Sequence, residues 1–317
     1  MKHNNILLFM ANKVLWVISL PKRMFFHSVY MMFSLYEFLG NVRKLRATRY
    51  DAMSGQFALS ESREMTFLVR THDRFIGRSI YVSGQFDFNK FEIVYHFIGD
   101  SFKDKKLTLL DIGANIGSIG IPALKKCYVS KCVFFEPEPT NCKLLKSNVI
   151  LNDVESDSTV YEVALGEKSG IVDFELSKNN FGDHRIRVND STNGTYDELS
   201  RRIISVPVKP LNDYFKEFDV SSCLIWMDTQ GYEGFVLSGA SHFLNARVPM
   251  VIEFWPYGMA RTGSYELLLA SLKETPYEYY VDLGRSPEIK MKLSEKTLND
   301  LWNDLGENDQ FTDILIF

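Results

Sequence analysis

From Leu107 onward, short apolar runs suited to strands alternate with longer stretches suited to helices. Such alternation predicts an α/β protein, a doubly wound and mostly parallel sheet with helices on both faces. The spacing places strands at Leu107–Ile112, Lys131–Glu136, Val160–Val163, Cys223–Asp228, Pro249–Phe254, Tyr277–Asp282 and Thr312–Phe317. Helices fall between them at Ile116–Lys126, Thr140–Leu151, Gly234–Leu244 and Tyr265–Glu274. Two further runs, Ile171–Leu176 and Ile203–Val208, predict an extra strand pair outside this alternation. They enclose a polar insert, Ser177–Arg202, of a length common in lids and substrate loops.

Ahead of this core the pattern changes twice. Met65–Phe86 predicts two strands, Phe67–Arg70 and Ile80–Val82, joined by a turn at Thr71–Arg74, and a helix over residues 88–97 follows. Ile6–Leu20 and Met24–Leu39 are dense in apolar residues and predict two hydrophobic helices. Neither matches the roughly 20 clean residues of a membrane span, and Ser19-Leu20-Pro21 is a poor signal-peptidase site. Three readings of this segment stay open: a helical cap, an oligomer contact, or a membrane-surface anchor. Arg43, Lys44, Arg46 and Arg49 follow it, suited to anionic lipid or a charged substrate and equally to a solvated helix face. The expected organisation is an N-terminal helical extension over residues 1–62, a hairpin and helix over 63–106, and a ligand-binding domain over 107–317.

Composition refines this only slightly. The 317 residues are 45% hydrophobic and 24% charged, with a net charge of -4, which fits a folded cytoplasmic chain. Mild acidity argues against nucleic acid as the main partner. Cys127, Cys132, Cys142 and Cys223 form no C-x-x-C pair and read as reduced, mostly buried thiols. The histidines are scattered without metal-ligating spacing, so no metal is expected.

Ligands of open α/β sheets bind at the carboxyl ends of the strands, so strand-ending residues carry the candidate chemistry. The first core strand runs into Asp111 and a turn paced by Gly113 and Gly117, and the second ends in Glu136-Pro137. A dinucleotide fingerprint begun at Gly113 needs glycine where the chain has Asn115 and Ser118, and a phosphate loop fails at Ser118-Ile119-Gly120. The remaining pattern, Asp-x-Gly-x-x-x-Gly, suits an adenosine ligand with an amino acid tail, which makes S-adenosylmethionine the expected cofactor. Gly113 frees the turn for positive φ or close backbone approach, and Gly117 lets the helix pack beneath the ligand. Asp111 is placed to meet the methionyl ammonium, directly or through water, and Glu136 to accept from both ribose hydroxyls. Ala114, Asn115 and Pro137 complete these turns, with helix capping as an alternative role for Asn115. Ordinary turn glycines and a solvated Glu136 are the plainer alternative. Asp228 and Glu253 end two later strands and join Asp111 and Glu136 at one edge, an arrangement that is costly without a cation.

On Leu110–Gly117, Phe135–Pro137, Val163–Gly166, Met227–Gly234 and Val251–Glu253, in that order, the chain resembles the FkbM-type S-adenosylmethionine-dependent methyltransferases. The resemblance covers roughly residues 64–317 and implies a class I methyltransferase (Rossmann-like) fold. It also implies methylation of a substrate hydroxyl, puts Ala164 near the adenine, and gives the hairpin and helix ahead of the core a part in closing the site. A hydroxyl acceptor needs a base as the methyl moves. Asp228 and Glu253 are the leading candidates for base or substrate positioning, and Asp228 also borders the cofactor; His184 is the third catalytic candidate. The structural alternatives are an N-cap for Asp228, a partner of a nearby arginine or amide for Glu253, and a loop histidine bonded to Asp183 for His184. Trp255 and Tyr257 are placed to wall an acceptor, and Gln230–Glu233 to shape its side. The expected function is O-methylation of a small metabolite, glycan or lipid-linked saccharide. An N-methyltransferase and a methyltransferase-like binding or scaffold module are the alternatives.

Overall fold

The computed structural model describes residues 31, 38, 40–62, 64–102, 106–188, 196–273 and 275–317. The two hydrophobic helices expected within residues 6–39 therefore lie outside the described residues, apart from residues 31 and 38. The chain divides into two compact units, Met1–Met53 and Ser54–Phe317. In the first, residues 40–51 are helical, and Met31, Phe38, Val42 and Leu45 are exposed. Among the described residues, no helix is long and apolar enough to cross a membrane.

The second unit opens with a hairpin, β1 (Phe57–Glu61) antiparallel to β2 (Thr66–Arg70), followed by α1 (Ile76–Ser83) and α2 (Phe88–Ile98). The strand expected at Ile80–Val82 is thus part of α1. Asp73 explains the difference: its buried carboxylate accepts from the amides of Phe75 and Gly77 at 3.0 and 2.8 Å, satisfying the first turn of a helix. Ile76, Ile80 and Tyr81 then share the buried face, and β2 takes its partner from upstream.

The core continues as β3 (Thr108–Ile112), α3 (Gly120–Lys125), β4 (Lys131–Phe135), α4 (Pro139–Leu151) and β5 (Ser158–Tyr161). Next come β6 (Ala164–Leu165), β7 (Gly170–Leu176), β8 (Arg185–Ile186), β9 (Arg202–Lys209) and β10 (Cys223–Met227). The chain ends with α5 (Glu233–Ser238), α6 (Ser241–Asn245), β11 (Met250–Phe254), α7 (Pro256–Thr262), α8 (Ser264–Lys273), β12 (Tyr279–Asp282), β13 (Lys290–Lys292), α9 (Glu295–Leu305) and β14 (Thr312–Ile316).

One eight-stranded sheet has the order β13-β12-β14-β11-β10-β3-β4-β5. From β11 to β5 neighbouring strands are parallel, while β14 lies antiparallel between β11 and β12. β3 and β10 are adjacent, with Ile112 opposite Met227, so the turns that follow them meet at the point where the strand order reverses. The extra strand pair is β7 and β9, antiparallel in a smaller sheet of order β6-β9-β7-β8. Its apolar centre is Ala164, Phe174, Ile186, Val206 and Val208. The polar insert supplies β8, and residues 189–195 lie outside the described residues.

Two helices differ from their expected spans for local reasons. α3 begins only at Gly120 because Asn115 and Gly117 hold φ of 51° and 88°, which no right-handed helix accommodates. The helix expected over Gly234–Leu244 breaks at Gly239, where a Cβ would lie 2.1 Å from the Gly166 carbonyl oxygen. Cys132, Cys142 and Cys223 are buried free thiols, whereas Cys127 is exposed at the end of α3.

Candidate functional site

A cleft opens at the carboxyl ends of β3, β4 and β10, with the β7–β8 segment as its far wall. Gly113, Asn115, Glu136, Pro137, Ala164, His184 and Asp228, all expected site residues, line it. Asn141, Phe181, Gly182, Thr229 and Tyr232 complete the wall beside them. Asp111, Ala114, Gly117 and Glu253 stand behind this lining.

Backbone bonds lace the turns together. Gly113 and Ala114 both donate to the Phe135 carbonyl, at 2.9 and 3.1 Å, and Asp228 donates to the Ile112 carbonyl at 3.0 Å. Gly113 holds φ 77°, and a Cβ there would sit 1.9 Å from the Asp228 carbonyl oxygen, so only glycine allows this closeness. Gly117 leaves room for Ile121 and Leu145, whose methyls would lie 2.5 and 2.8 Å from a Cβ. Asp111 is held below: its Oδ2 accepts from the Gly120 amide at the start of α3, at 3.1 Å. Burial pushes its pKa up to about 7 despite that bond, with the Asp228 charge adding to the rise.

Glu136 is buried between two amides, Oε1 accepting from Glu138 N and Oε2 from Asn115 N, both at 2.8 Å. Burial lifts its pKa to about 8 against the pull of those bonds. Each oxygen keeps a free lone pair. Glu138 caps α4 by accepting from Asn141 N at 2.6 Å, with Pro139 at the first helical position.

The insert reaches into this site through Phe181. Its carbonyl accepts from Asn115 Nδ2 at 2.7 Å and from Asn141 Nδ2 at 3.2 Å, and the Arg70 guanidinium lies 3.6 Å from its ring centre. His184 accepts from Ser177 N through Nδ1 at 3.0 Å, and burial, reinforced by Arg70 and Arg201, lowers its pKa to about 3. The ring is therefore neutral, with its proton on Nε2 and its accepting nitrogen engaged. That state suits a hydrogen-bond donor and not the general base expected.

Half-buried Asp228 and buried Glu253 form an acid pair. Gln230 Nε2 donates to Asp228 Oδ1 at 2.7 Å and to Glu253 Oε2 at 3.0 Å, and the two carboxyl groups also hydrogen-bond each other. Burial raises Asp228 to about 6 and Glu253 well above its usual value, the latter further lifted by the Asp228, Glu233 and Asp313 charges. Glu253 thus holds the shared proton and Asp228, on the cleft wall, is the carboxylate. Gln230 reaches both only by adopting φ 57°, with Gly231 at φ 93° packed on Gly258. Glu233 is structural, its Oε1 accepting from Thr229 N and Oγ1 at 2.9 and 2.8 Å.

Sequence reasoning missed a buried charge cluster beside the cleft. Arg185 donates to Glu175 at 3.0 Å and Glu198 at 2.7 Å, Arg261 donates to Glu175 at 2.7 Å, and Arg201 pairs with Asp183. The expected acceptor walls belong to this cluster instead. Trp255 lies against the Arg185 guanidinium at 5.3 Å, and Tyr257 donates to Glu198 at 2.8 Å; neither lines the cleft. Of the missed lining residues, Asn141 carried a signal, one turn into the helix after Glu136-Pro137; Phe181 carried none.

The cleft fits S-adenosylmethionine by its own chemistry. Gly113 presents bare backbone where a side chain has no room, and Glu136 offers paired free acceptors suited to a vicinal diol. Phe135, Val163 and Leu165 supply apolar walls, and ionised Asp228 suits a cationic ligand.

A curated relative, the 2-O-methyltransferase NoeI of Sinorhizobium fredii (strain NBRC 101917 / NGR234), is 29% identical over 144 residues, which is 43% of this chain and 58% of the relative. Among solved structures, M. jannaschii TYW2 in complex with AdoMet aligns at TM-score 0.40 and 10% identity, covering 83% of this chain and 85% of that one. The SAM-dependent methyltransferase from Agrobacterium tumefaciens aligns at TM-score 0.40 and 9% identity, covering 84% and 71%. Residues 111–279 match the methyltransferase FkbM domain. With more than half of its length in that match and the class I α/β sheet beneath it, the chain belongs to the FkbM methyltransferase family, whose cofactor is S-adenosylmethionine.

Proposed function

We propose that the chain is an S-adenosylmethionine-dependent O-methyltransferase acting on a hydroxyl of a small metabolite, glycan or lipid-linked saccharide. The observation that carries this reading is the Asp228–Glu253 pair, in which one half-buried carboxylate at the cleft wall is kept ionised by a proton held on its neighbour. An amine acceptor has its own lone pair and needs no such base, whereas an aliphatic hydroxyl does. The S. fredii relative, a 2-O-methyltransferase, supports a hydroxyl acceptor, although the chain spans only 58% of that relative's length.

When bound, S-adenosylmethionine supplies an electrophilic methyl group. Glu136 holds the ribose hydroxyls, Pro137 and Ala164 flank the adenine, the Gly113–Asn115 backbone borders the amino acid tail, and Asp111 sets the turn beneath it. Asp228 takes the proton from the acceptor hydroxyl. Glu253, already protonated, donates to Asp228, and Gln230 fixes both carboxyl groups so that the free Asp228 oxygen is presented to the acceptor. In the same reading residues 107–317 carry the chemistry and residues 63–106 help close the site, with residues 1–62 as an extension.

Calorimetric titration with S-adenosylhomocysteine, with NAD as control, tests the cofactor; labelled methyl transfer to a panel of hydroxylated acceptors tests the reaction. Asp228→Asn is expected to slow transfer about 10²- to 10⁴-fold while changing S-adenosylhomocysteine affinity only about threefold or less. A folded chain that binds no S-adenosylhomocysteine rejects the cofactor assignment. Undiminished transfer by Asp228→Asn, or transfer to amines alone, rejects the hydroxyl reading.

A further inference from the structure

Three polar atoms among the cleft residues have no partner: the side-chain oxygens of Asn115 and Asn141, and Nε2 of His184. The residues are only 8%, 1% and 8% exposed, so water does not satisfy these groups freely. Their orientation is fixed by their neighbours. The Phe181 carbonyl can only accept, so both asparagines face it with nitrogen and leave their oxygens unmatched. The Ser177 amide can only donate, so it engages His184 through the bare Nδ1 and leaves the hydrogen on Nε2. Two acceptors and one donor are therefore held ready beside the free lone pairs of Glu136. A buried polar group without a partner is destabilising, and three of them in one cleft mark a site completed by a ligand.

We propose that Asn115, Asn141 and His184 are binding residues for the nucleoside part of the cofactor, the two amide oxygens accepting its hydroxyl or amine hydrogens and His184 donating to a ring nitrogen or sugar oxygen. The inference rests on the reading of this cleft as the S-adenosylmethionine site. Adenosine offers two vicinal hydroxyls, an exocyclic amine and several ring acceptors, which matches this mixed set. It also gives the polar insert a definite task. The segment from Ser177 to His184 carries the donor and the carbonyl that orients both asparagines, and Arg70 of the hairpin holds that segment by stacking on Phe181.

The test is calorimetric titration of the full chain and its variants with S-adenosylhomocysteine, alongside thermal melting without ligand. His184→Phe keeps an aromatic ring next to Phe174 and Phe181 and deletes both the unpartnered N–H and the acceptor of the Ser177 amide. It is expected to weaken binding about tenfold, with a lower ligand-free melting temperature from the lost Ser177 bond. His184→Gln, which restores an N–H at similar reach, is expected to bind within about threefold of the unaltered chain, and Asn141→Leu to lose about tenfold. A purely structural role predicts a lower melting temperature with unchanged affinity, and that outcome overturns the proposal. Adenosine alone, titrated against the same variants, is expected to show the same losses; a loss confined to S-adenosylhomocysteine moves the contacts to the amino acid tail and overturns the nucleoside assignment. If the unaltered chain binds no S-adenosylhomocysteine, the cofactor reading falls and this inference with it. If it binds and all variants match it, only the inference falls.

Discussion

Replacing Glu136 by glutamine probes the electrostatics of the cleft without knowledge of the acceptor. In the folded chain burial lifts this carboxyl from its usual 4.5 to about 8, even with amide bonds from Glu138 and Asn115 pulling the other way. A folded-state value above the unfolded one means that the folded form keeps a proton which the unfolded form releases. The stability contributed by this group is then complete below pH 4.5 and is lost as pH rises through about 8. At about 1.4 kcal/mol per pH unit, the interval from 4.5 to about 8 corresponds to about 5 kcal/mol, an upper bound because water entering the cleft screens the charge. Asp111 and Glu233, each raised to about 7, and Asp228, raised to about 6, act in the same direction over the same window. Urea unfolding of the ligand-free protein at pH 5, 6, 7 and 8 measures the sum. The unaltered chain is expected to lose several kcal/mol across that range, and Glu136→Gln to lose about 2–5 kcal/mol less. Comparing slopes removes the pH-independent cost of swapping a carboxyl for an amide. Stability that is flat or rises from pH 5 to 8, or an identical slope in the variant, refutes the assignment of a proton to Glu136. The same reasoning makes S-adenosylhomocysteine binding tighten with rising pH, by up to about tenfold per unit, if its ribose hydroxyls favour the ionised Glu136.

Three further substitutions test the frame of the site. Gly113→Ala puts a Cβ 1.9 Å from the Asp228 carbonyl at φ 77°, and a loss of about 2–4 kcal/mol by thermal or urea unfolding is expected; unchanged melting and affinity would falsify the close approach. Asn148 Oδ1 accepts from Leu68 N at 2.7 Å and its Nδ2 donates to the Ile116 carbonyl at 3.0 Å, so Asn148→Leu is expected to cost about 2–4 kcal/mol and to speed hydrogen exchange at the Leu68 amide; unchanged exchange would show that β2 is held by other contacts. Glu175→Gln removes the anion shared by Arg185 and Arg261, and a loss of about 3–5 kcal/mol with an altered near-ultraviolet signal from Trp255 is expected; a loss under about 1 kcal/mol would mean the arginines find other partners.

The parallel core was legible because each of its strands is a short apolar run ended by a turn residue, and such runs have few alternatives to burial in a sheet. β3, β10 and β11 were readable to within a residue for that reason. Gly113, Glu136 and Asp228 were legible as neighbours because strand order follows from the repeated strand–helix pattern. What stayed hidden depended on contacts distant in sequence. Nothing local at Ile80 reveals that Asp73 caps a helix there, and nothing around Gly239 reveals the Gly166 carbonyl pressed against it. The aromatic pair Trp255 and Tyr257 resembled a binding wall until Arg185 was found inside the cluster they form. His184 could be placed in the site from its motif, but its protonation followed only from the Ser177 amide.

The crowding of carboxylates at this sheet edge is resolved by giving each a different state, and that division links cofactor to chemistry. Asp111 is turned beneath the sheet edge to satisfy the first turn of α3, and Glu253 is kept neutral behind Asp228, so neither adds an exposed charge. Lys90 balances Asp313, the residue paired with Glu253 across β11 and β14, and helps keep Asp228 ionised. Only Glu136 and Asp228 face the cleft, the first held by two amides and the second by Gln230. Glu136 keeps its proton below about pH 8, so a neutral ligand leaves the Asp228 charge in a poorly hydrated place, whereas a cationic one offsets it. The site therefore favours the charged methyl donor over its neutral product through Asp228, the carboxylate proposed as base. On this argument S-adenosylhomocysteine, having lost the sulfonium charge, binds less tightly than S-adenosylmethionine at pH 8, and Asp228→Asn narrows the difference.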